Sequence, residues 1–277
     1  MTGAQGIRRP GRLTYLALAG VLFVSAFPLY WTGVVASHDN RAYAAIPPQL
    51  LPGPNFGSNA EQVFELSYFG MALANSFLVA GTITFAVVLL STLSGFAFAK
   101  LRFRGGNALL LAVIATMMVP TQLGIIPLYL LMVELGWTDT LTAVIVPSLV
   151  SAFGVFFMTQ YLREALPTEL LEAGRVDGCN TLRLFWHVVL PAARPAAAVL
   201  GMLTFMTAWN DFFWPLVVLT PDNPTVQVAI SSLASGLIPD YTVVLTGTVL
   251  GTVPLVLVFV LLGKYIVGGI MHGAIKG

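Results

Sequence analysis

Residues 66–99 run without a single charged side chain, and this stretch constrains the chain more than any other. A helix of roughly 20 residues crosses the hydrocarbon core of a bilayer, about 30 Å thick. The run therefore accommodates a tilted span with a short lead-in, beginning near Ser67 or Asn75. Further apolar runs follow the same rule, and the pattern predicts six transmembrane helices near residues 13–37, 68–99, 107–133, 140–162, 195–219 and 241–267. Composition agrees: 57% of residues are hydrophobic and 9% charged, against about 25% charged in an average soluble domain. The expected fold class is an all-α membrane protein, with a short segment, 1–12, ahead of one transmembrane domain, 13–277.

The first run follows Arg8, Arg9 and Arg12, a combination that also opens secretory and twin-arginine signals. Its length exceeds the apolar region of a signal, about 7–15 residues, and more spans follow, so it reads as a first transmembrane helix. Residues 38–65 hold Pro47, Pro48, Pro52 and Pro54 with Gly53 and Gly57 and read as a loop. Pro120 and Pro127 predict a kinked third span facing the interior of a bundle. Lys100, Arg102 and Arg104 precede Gly105 and Gly106 in a short basic turn.

Placing the N-terminus in the cytoplasm puts twelve of the thirteen Lys and Arg residues on the inner side, leaving only Arg41 outside. The positive-inside rule thus predicts that both termini are cytoplasmic. The polar stretch 163–194 then becomes the largest cytoplasmic loop. Within it, Pro167 suits a helix start, and Glu169 and Glu172 lie in the early turns, where negative charge complements the helix dipole. Asp177 and Gly178 end that helix, Asn180 caps a second one over 181–189, and Pro191 with Pro195 separates the second helix from the fifth span. From periodicity alone, this helix–turn–helix is equally an amphipathic cover for the end of the bundle and a docking element.

The run Glu172-Ala173-Gly174, then Gly178, then Val188-Val189-Leu190-Pro191 resembles the EAA motif of ABC importer permeases: E-A-A, three residues, G, nine residues, I, any residue, L-P. Both spacings match. Gly174 replaces the second alanine at a cost of about 1 kcal/mol in helix propensity, and Val188 replaces isoleucine. The stretches PLYWTGVVAS, ANSFLVAGT, FAFAKLRFRGGNALL, PTQLGIIPLYLLMVELGWTDT, WNDFFWPL and GGIMHGAIKG are similar, in order and spacing, to those of carbohydrate-importer permeases of the maltose type.

The resemblance implies the ABC importer permease fold, with a second homologous permease, two ATP-binding subunits and an extracytoplasmic sugar-binding protein as partners in a bacterial inner membrane. It makes 163–194 the coupling loop, with Glu169, Glu172, Ala173, Gly174, Asp177, Gly178, Leu190 and Pro191 at the contact with the ATPase. Glu172 would pair with that subunit and Gly178 would permit the turn. The loop bounded by Thr220 and Asp240 would reach the binding protein, and the segment 268–277 the ATPases. Sugar as the cargo is likewise implied by the resemblance.

The residues themselves supply no catalytic centre. A G-x-x-x-x-G-K-[ST] phosphate loop does not occur, and His38, His187 and His272 have no metal-ligand spacing. ATP and Mg are therefore expected on the partner ATPase, with no cofactor or metal on this chain. Cys179 is the only cysteine, so no intrachain disulfide can form. The net charge of +1 offers nothing to nucleic acid, whereas the apolar surface implies contact with lipid. A secondary transporter would also explain six spans, but it is expected to show an inverted repeat, and none is visible.

Asp211 is the one carboxylate inside a predicted span, where charge usually faces a bundle interior or a wet cavity. One reading places Asn210 and Asp211, with Trp209 as a stacking surface, on the translocation path. The other bonds Asp211 within the bundle near the outer interface, with Trp209 and Trp214 as belt residues. The second is favoured by the resemblance, in which sugar contacts fall mainly to the partner permease. Asn75 and Ser76 are candidates for the path as well, although polar groups on a span more often bond to neighbouring helices.

Overall fold

A computed structural model of the chain describes residues 11–235 and 239–274, with side chains described except at 262 and 264–274. Arg8, Arg9 and Lys276 lie outside the described residues. The described elements are helical throughout: α1 (Arg12–Ala36), α2 (Phe56–Leu66), α3 (Phe69–Lys100), α4 (Gly106–Thr116), α5 (Ile125–Glu134), α6 (Leu141–Ile145), α7 (Ala152–Ala165), α8 (Thr168–Val176), α9 (Thr181–Leu184), α10 (Leu190–Trp209), α11 (Phe213–Val218), α12 (Val226–Leu233) and α13 (Tyr241–Ala274). Among the described residues, five helical stretches are long and apolar enough to cross a membrane: Arg12–Ala36, Phe69–Lys100, Leu141–Ala165, Thr181–Trp209 and Tyr241–Leu261. A sixth candidate is the pair Gly106–Thr116 and Thr121–Glu134, bent by 86°.

Several local expectations are corrected. The third span is broken rather than kinked: α4 ends at Thr116, and a 3-10 turn over Thr121–Gly124 follows Pro120, whose ring cannot continue the helix. Around Pro147 the fourth span tightens into a 3-10 turn before α7 resumes at Ala152. The fifth span ends at Trp209 rather than running to 219. At its start, Pro191 and Pro195 do not separate it from the second loop helix. A π turn over Phe185–Val189 instead joins α9 to α10 in one helical stretch, so the wider winding directly precedes Pro191, which has no N–H to donate. The predicted loops 38–65 and 220–240 contain α2 and α12.

The chain forms two compact units, Met1–Leu66 with Leu233–Leu250, and Ser67–Ser232 with Gly251–Gly277. In the first, the end of α1 is fixed by backbone and side-chain hydrogen bonds. Asn59 of α2 donates through Nδ2 to the carbonyls of Ala36 and His38 at 2.9 and 2.8 Å. Ser37 Oγ accepts the Gly53 N–H at 2.7 Å, and Thr246 Oγ1 donates to Ala36 O at 3.0 Å. A side chain on Gly53 would place its Cβ 2.5 Å from Ser37 O, so the proline-rich segment can close on α1 only through glycine.

The second unit is built on α3, α7 and α10, which pack against one another. Its core includes Val79, Ile83, Phe96, Met158, Leu162, Leu200 and Trp214. At the crossing of α3 and α7, Gly95 lies against the Met158 backbone and Gly154 against Ser91, one helical turn before Gly95. Small residues let helix backbones approach closely, which is how spans associate where lipid offers no hydrophobic driving force. A Cβ on Gly95 would fall 2.8 Å from Met158 C, whereas one on Gly81 of the same helix would meet nothing within 4 Å. Gly95→Ala is therefore expected to destabilise the fold by about 1–3 kcal/mol, the usual range for overpacking. Gly81→Ala should leave stability unchanged or slightly raised; thermal unfolding in detergent, followed by tryptophan fluorescence, checks the pair.

Candidate functional site

The loop after α7 is a compact helix–turn–helix. Pro167 is the N-cap residue of α8, with Glu169 in the first turn. The helix closes on a Schellman motif: Cys179 N–H donates to Gly174 O at 2.9 Å, and Gly178 N–H to Arg175 O at 3.0 Å. Gly178 has φ 81°, a left-handed conformation that glycine adopts without a Cβ penalty. Asn180 caps α9 by accepting the Arg183 N–H at 2.9 Å. These two turn features were both legible in the sequence.

Leu171 and Gly174 of α8 are buried and so is Leu184 of α9. A Cβ on Gly174 would come within 2.5 Å of Leu184 Cδ2. Glycine at this motif position is thus matched to the leucine opposite it, a pairing that motif spacing alone cannot reveal. Glu169, Glu172, Ala173, Asp177 and Pro191 are exposed, and Leu190 is half-buried. Leu170 is 46% and Val176 88% exposed, so two of the apolar side chains of α8 lie on its open surface. Lys100 Nζ donates to Arg163 O at 3.1 Å, tying the end of α3 to the start of the loop.

The second candidate region is a cavity of about 1160 Å³ in the unit built on α3, α7 and α10. Three interrupted segments line it: Thr116 to Thr121 between α4 and α5, Pro147 to Ser151 between α6 and α7, and Asn210 to Phe212 between α10 and α11. Irregular backbone at membrane depth is tolerated where it is covered by protein or lines a wet cavity. Asn210 and Asp211 therefore lie on the wall, at a break that the Asn-Asp pair and the nearby Pro215 signal only in retrospect.

Trp209, Asn75 and Ser76 are not among the lining residues. Trp209 is 1% exposed, its Nε1–H donating to Gly251 O at 3.0 Å and its ring stacked on Phe205. Trp214 is buried too, donating to Ala143 O at 2.9 Å, so neither tryptophan is a belt residue. Asn75 donates to Asn223 Oδ1 and Pro224 O at 2.9 and 3.0 Å, and Ser76 Oγ accepts the Val226 N–H at 2.9 Å. Both polar groups of α3 thus hold the segment that leads into α12. Asp139, at φ 60°, fastens the same segment by accepting from Thr220 N and Oγ1. Residues 236–238 of the 220–240 loop lie outside the described residues.

Residues 88–272 match the family described as binding-protein-dependent transport system inner membrane component. The chain belongs to this family. It is 33% identical over 270 residues to the lactose transport system permease protein LacG of Rhizobium radiobacter, covering 97% of each chain. It is 35% identical over 274 residues to the arabinooligosaccharides transport system permease protein AraQ of Halalkalibacterium halodurans, covering 96% of each. With the sn-glycerol-3-phosphate transport system permease protein UgpE of Yersinia enterocolitica it shares 32% identity over 265 residues. Its fold matches a chain of a bacterial ABC transporter involved in the import of the acidic polysaccharide alginate, with a TM-score of 0.78, 22% identity and coverage of 96% and 99%. The chain is accordingly a membrane-embedded permease subunit of a binding-protein-dependent transport system.

The turn chemistry leads to a direct test. Asn180→Ala removes the cap on α9 and should cost about 1 kcal/mol; Gly178→Val forces a branched side chain into the left-handed region at roughly 1–2 kcal/mol. Hydrogen exchange is expected to accelerate in 168–184 for both variants while α3 and α10 keep their protection.

Proposed function

We propose that this chain forms one half of the translocation path of an ATP-driven carbohydrate importer, with both termini in the cytoplasm. The helix–turn–helix of 168–184 is its contact with an ATP-binding subunit. The partners are a second permease, two such ATPases and an extracytoplasmic sugar-binding protein; ATP and Mg are held by the ATPases. Thr220 and its neighbours form a braced base from which the 220–240 loop meets the binding protein.

The observation that carries this reading is the single helical stretch Thr181–Trp209. At 1.5 Å per residue, its 29 residues extend over about 43 Å. One end is packed on α8 through Leu184 and Gly174, and the other delivers Asn210 and Asp211 to the cavity. Movement imposed on the loop therefore reaches the cavity wall through one hydrogen-bonded element. The exposed faces of Glu169, Glu172, Leu170 and Val176 give the loop both charge and apolar area for a protein partner. The names of the similar permeases, which include lactose and arabinooligosaccharides, support carbohydrate as the cargo.

In this scheme, closure of the ATPases on ATP drives the loop and opens the cavity outward, where the binding protein releases its sugar; hydrolysis resets the inward-facing state. Glu172→Ala is expected to lower both substrate uptake and substrate-stimulated ATP hydrolysis at least several-fold in reconstituted vesicles, while membrane insertion stays normal. Unchanged uptake and hydrolysis in that variant would remove Glu172 from the coupling contact.

A further inference from the structure

The similar permeases carry names with uncharged sugars and with an anionic phosphoester, and the fold match belongs to an importer of an acidic polysaccharide. Similarity therefore leaves the charge of the cargo open. The cavity wall bears on it directly. Among the described residues, Asp211 is the only ionisable one lining the cavity, with no Lys, Arg or His beside it.

The neutral polar groups on the wall serve a solute in both directions. Thr116 Oγ1 donates its hydrogen to Val113 O at 2.7 Å, and Thr207 Oγ1 to Leu203 O at 2.9 Å. A hydroxyl has one hydrogen to donate and two lone pairs, so both threonines retain only acceptor capacity for a solute. Asn210 commits one Nδ2 hydrogen to Met206 O at 2.8 Å, leaving its other Nδ2 hydrogen and its carbonyl oxygen for a solute. An ionised carboxylate offers about four acceptor sites and no donor. Thr121, Ser148 and Thr204 are hydroxyls on the wall with freedom to turn either way, and Ser151 Oγ, which accepts the Gly154 N–H at 3.1 Å, keeps its hydrogen for a solute.

We propose that this wall is a charge filter centred on Asp211, which admits uncharged polyhydroxylated solutes and turns away phosphorylated or carboxylated ones. Sugar hydroxyls both donate and accept, so they pair with a wall that carries both kinds of group. Ionised phosphate and carboxylate groups instead meet the Asp211 charge across a site flanked by low-dielectric protein and lipid, with no cation on the wall to offset it. The apolar remainder, including Phe153, Phe212 and Phe213, offers surface to the C–H faces of a sugar without adding charge. This inference rests on the cavity being the translocation path, and the experiment separates the two.

Thr207→Cys is introduced in a Cys179→Ser background, and vesicles from the expressing cells are treated with three methanethiosulfonates of similar size: neutral, trimethylammonium-bearing and sulfonate-bearing. Modification is read on the purified chain as lost labelling by a fluorescent maleimide. Reaction with the neutral reagent is expected, as for a water-filled path. The cationic-to-anionic rate ratio should fall by roughly tenfold when Asp211→Asn is added, as befits removal of one charge a few ångströms from the thiol. An unchanged ratio would overturn the filter and leave the path intact; absence of neutral modification would overturn both. Should Thr207→Cys fail to accumulate, Ser148→Cys supplies the same comparison from another segment of the wall.

Discussion

In hydrocarbon a backbone N–H or carbonyl has no water to bond, so the chain must be helical or else covered. That requirement organises this protein. It accounts for the long helices α3 and α13, and it gives meaning to three of the breaks between helices in the second unit. All three meet at one cavity. The three breaks thus share one cavity wall, and residues of α3, α7 and α10 line it beside them.

The fold class could be read from the chain because it depends on length and hydropathy, which are properties of whole runs. The turn at Gly178 and the cap at Asn180 could be read because each depends on one residue and its immediate neighbours. The breaks could not be read in this way. Pro120 and Pro147 occur in runs as apolar as those that stay helical, and Pro195 sits inside α10 without ending it. Whether a proline kinks, tightens or breaks a span depends on what covers the freed carbonyl, a tertiary matter.

Site residues divide along the same line. The carboxylates of α8 stand exposed where the motif puts them, since exposure follows from an amphipathic helix. Trp209 could not be placed from sequence: an indole beside an intramembrane Asn-Asp pair suits a stacking surface, yet its N–H finds Gly251 O and its ring fills the core. Asn75 and Ser76 show how a polar residue on a span can serve neither lipid nor cargo, because the α12 approach needs donors and acceptors from α3. Gly174 is informative in the opposite sense, since it faces the side chain of Leu184, ten residues later.

The stretch from Thr181 to Trp209 also has a mechanical aspect. A helix converts angle into distance in proportion to its length, and for about 43 Å a tilt of roughly 5° at the loop end displaces the far end by roughly 4 Å. That displacement is comparable to the width of a hydroxyl-bearing carbon chain. Very small rotations at the surface of the protein are thus enough to widen or narrow the place where Asn210 and Asp211 stand.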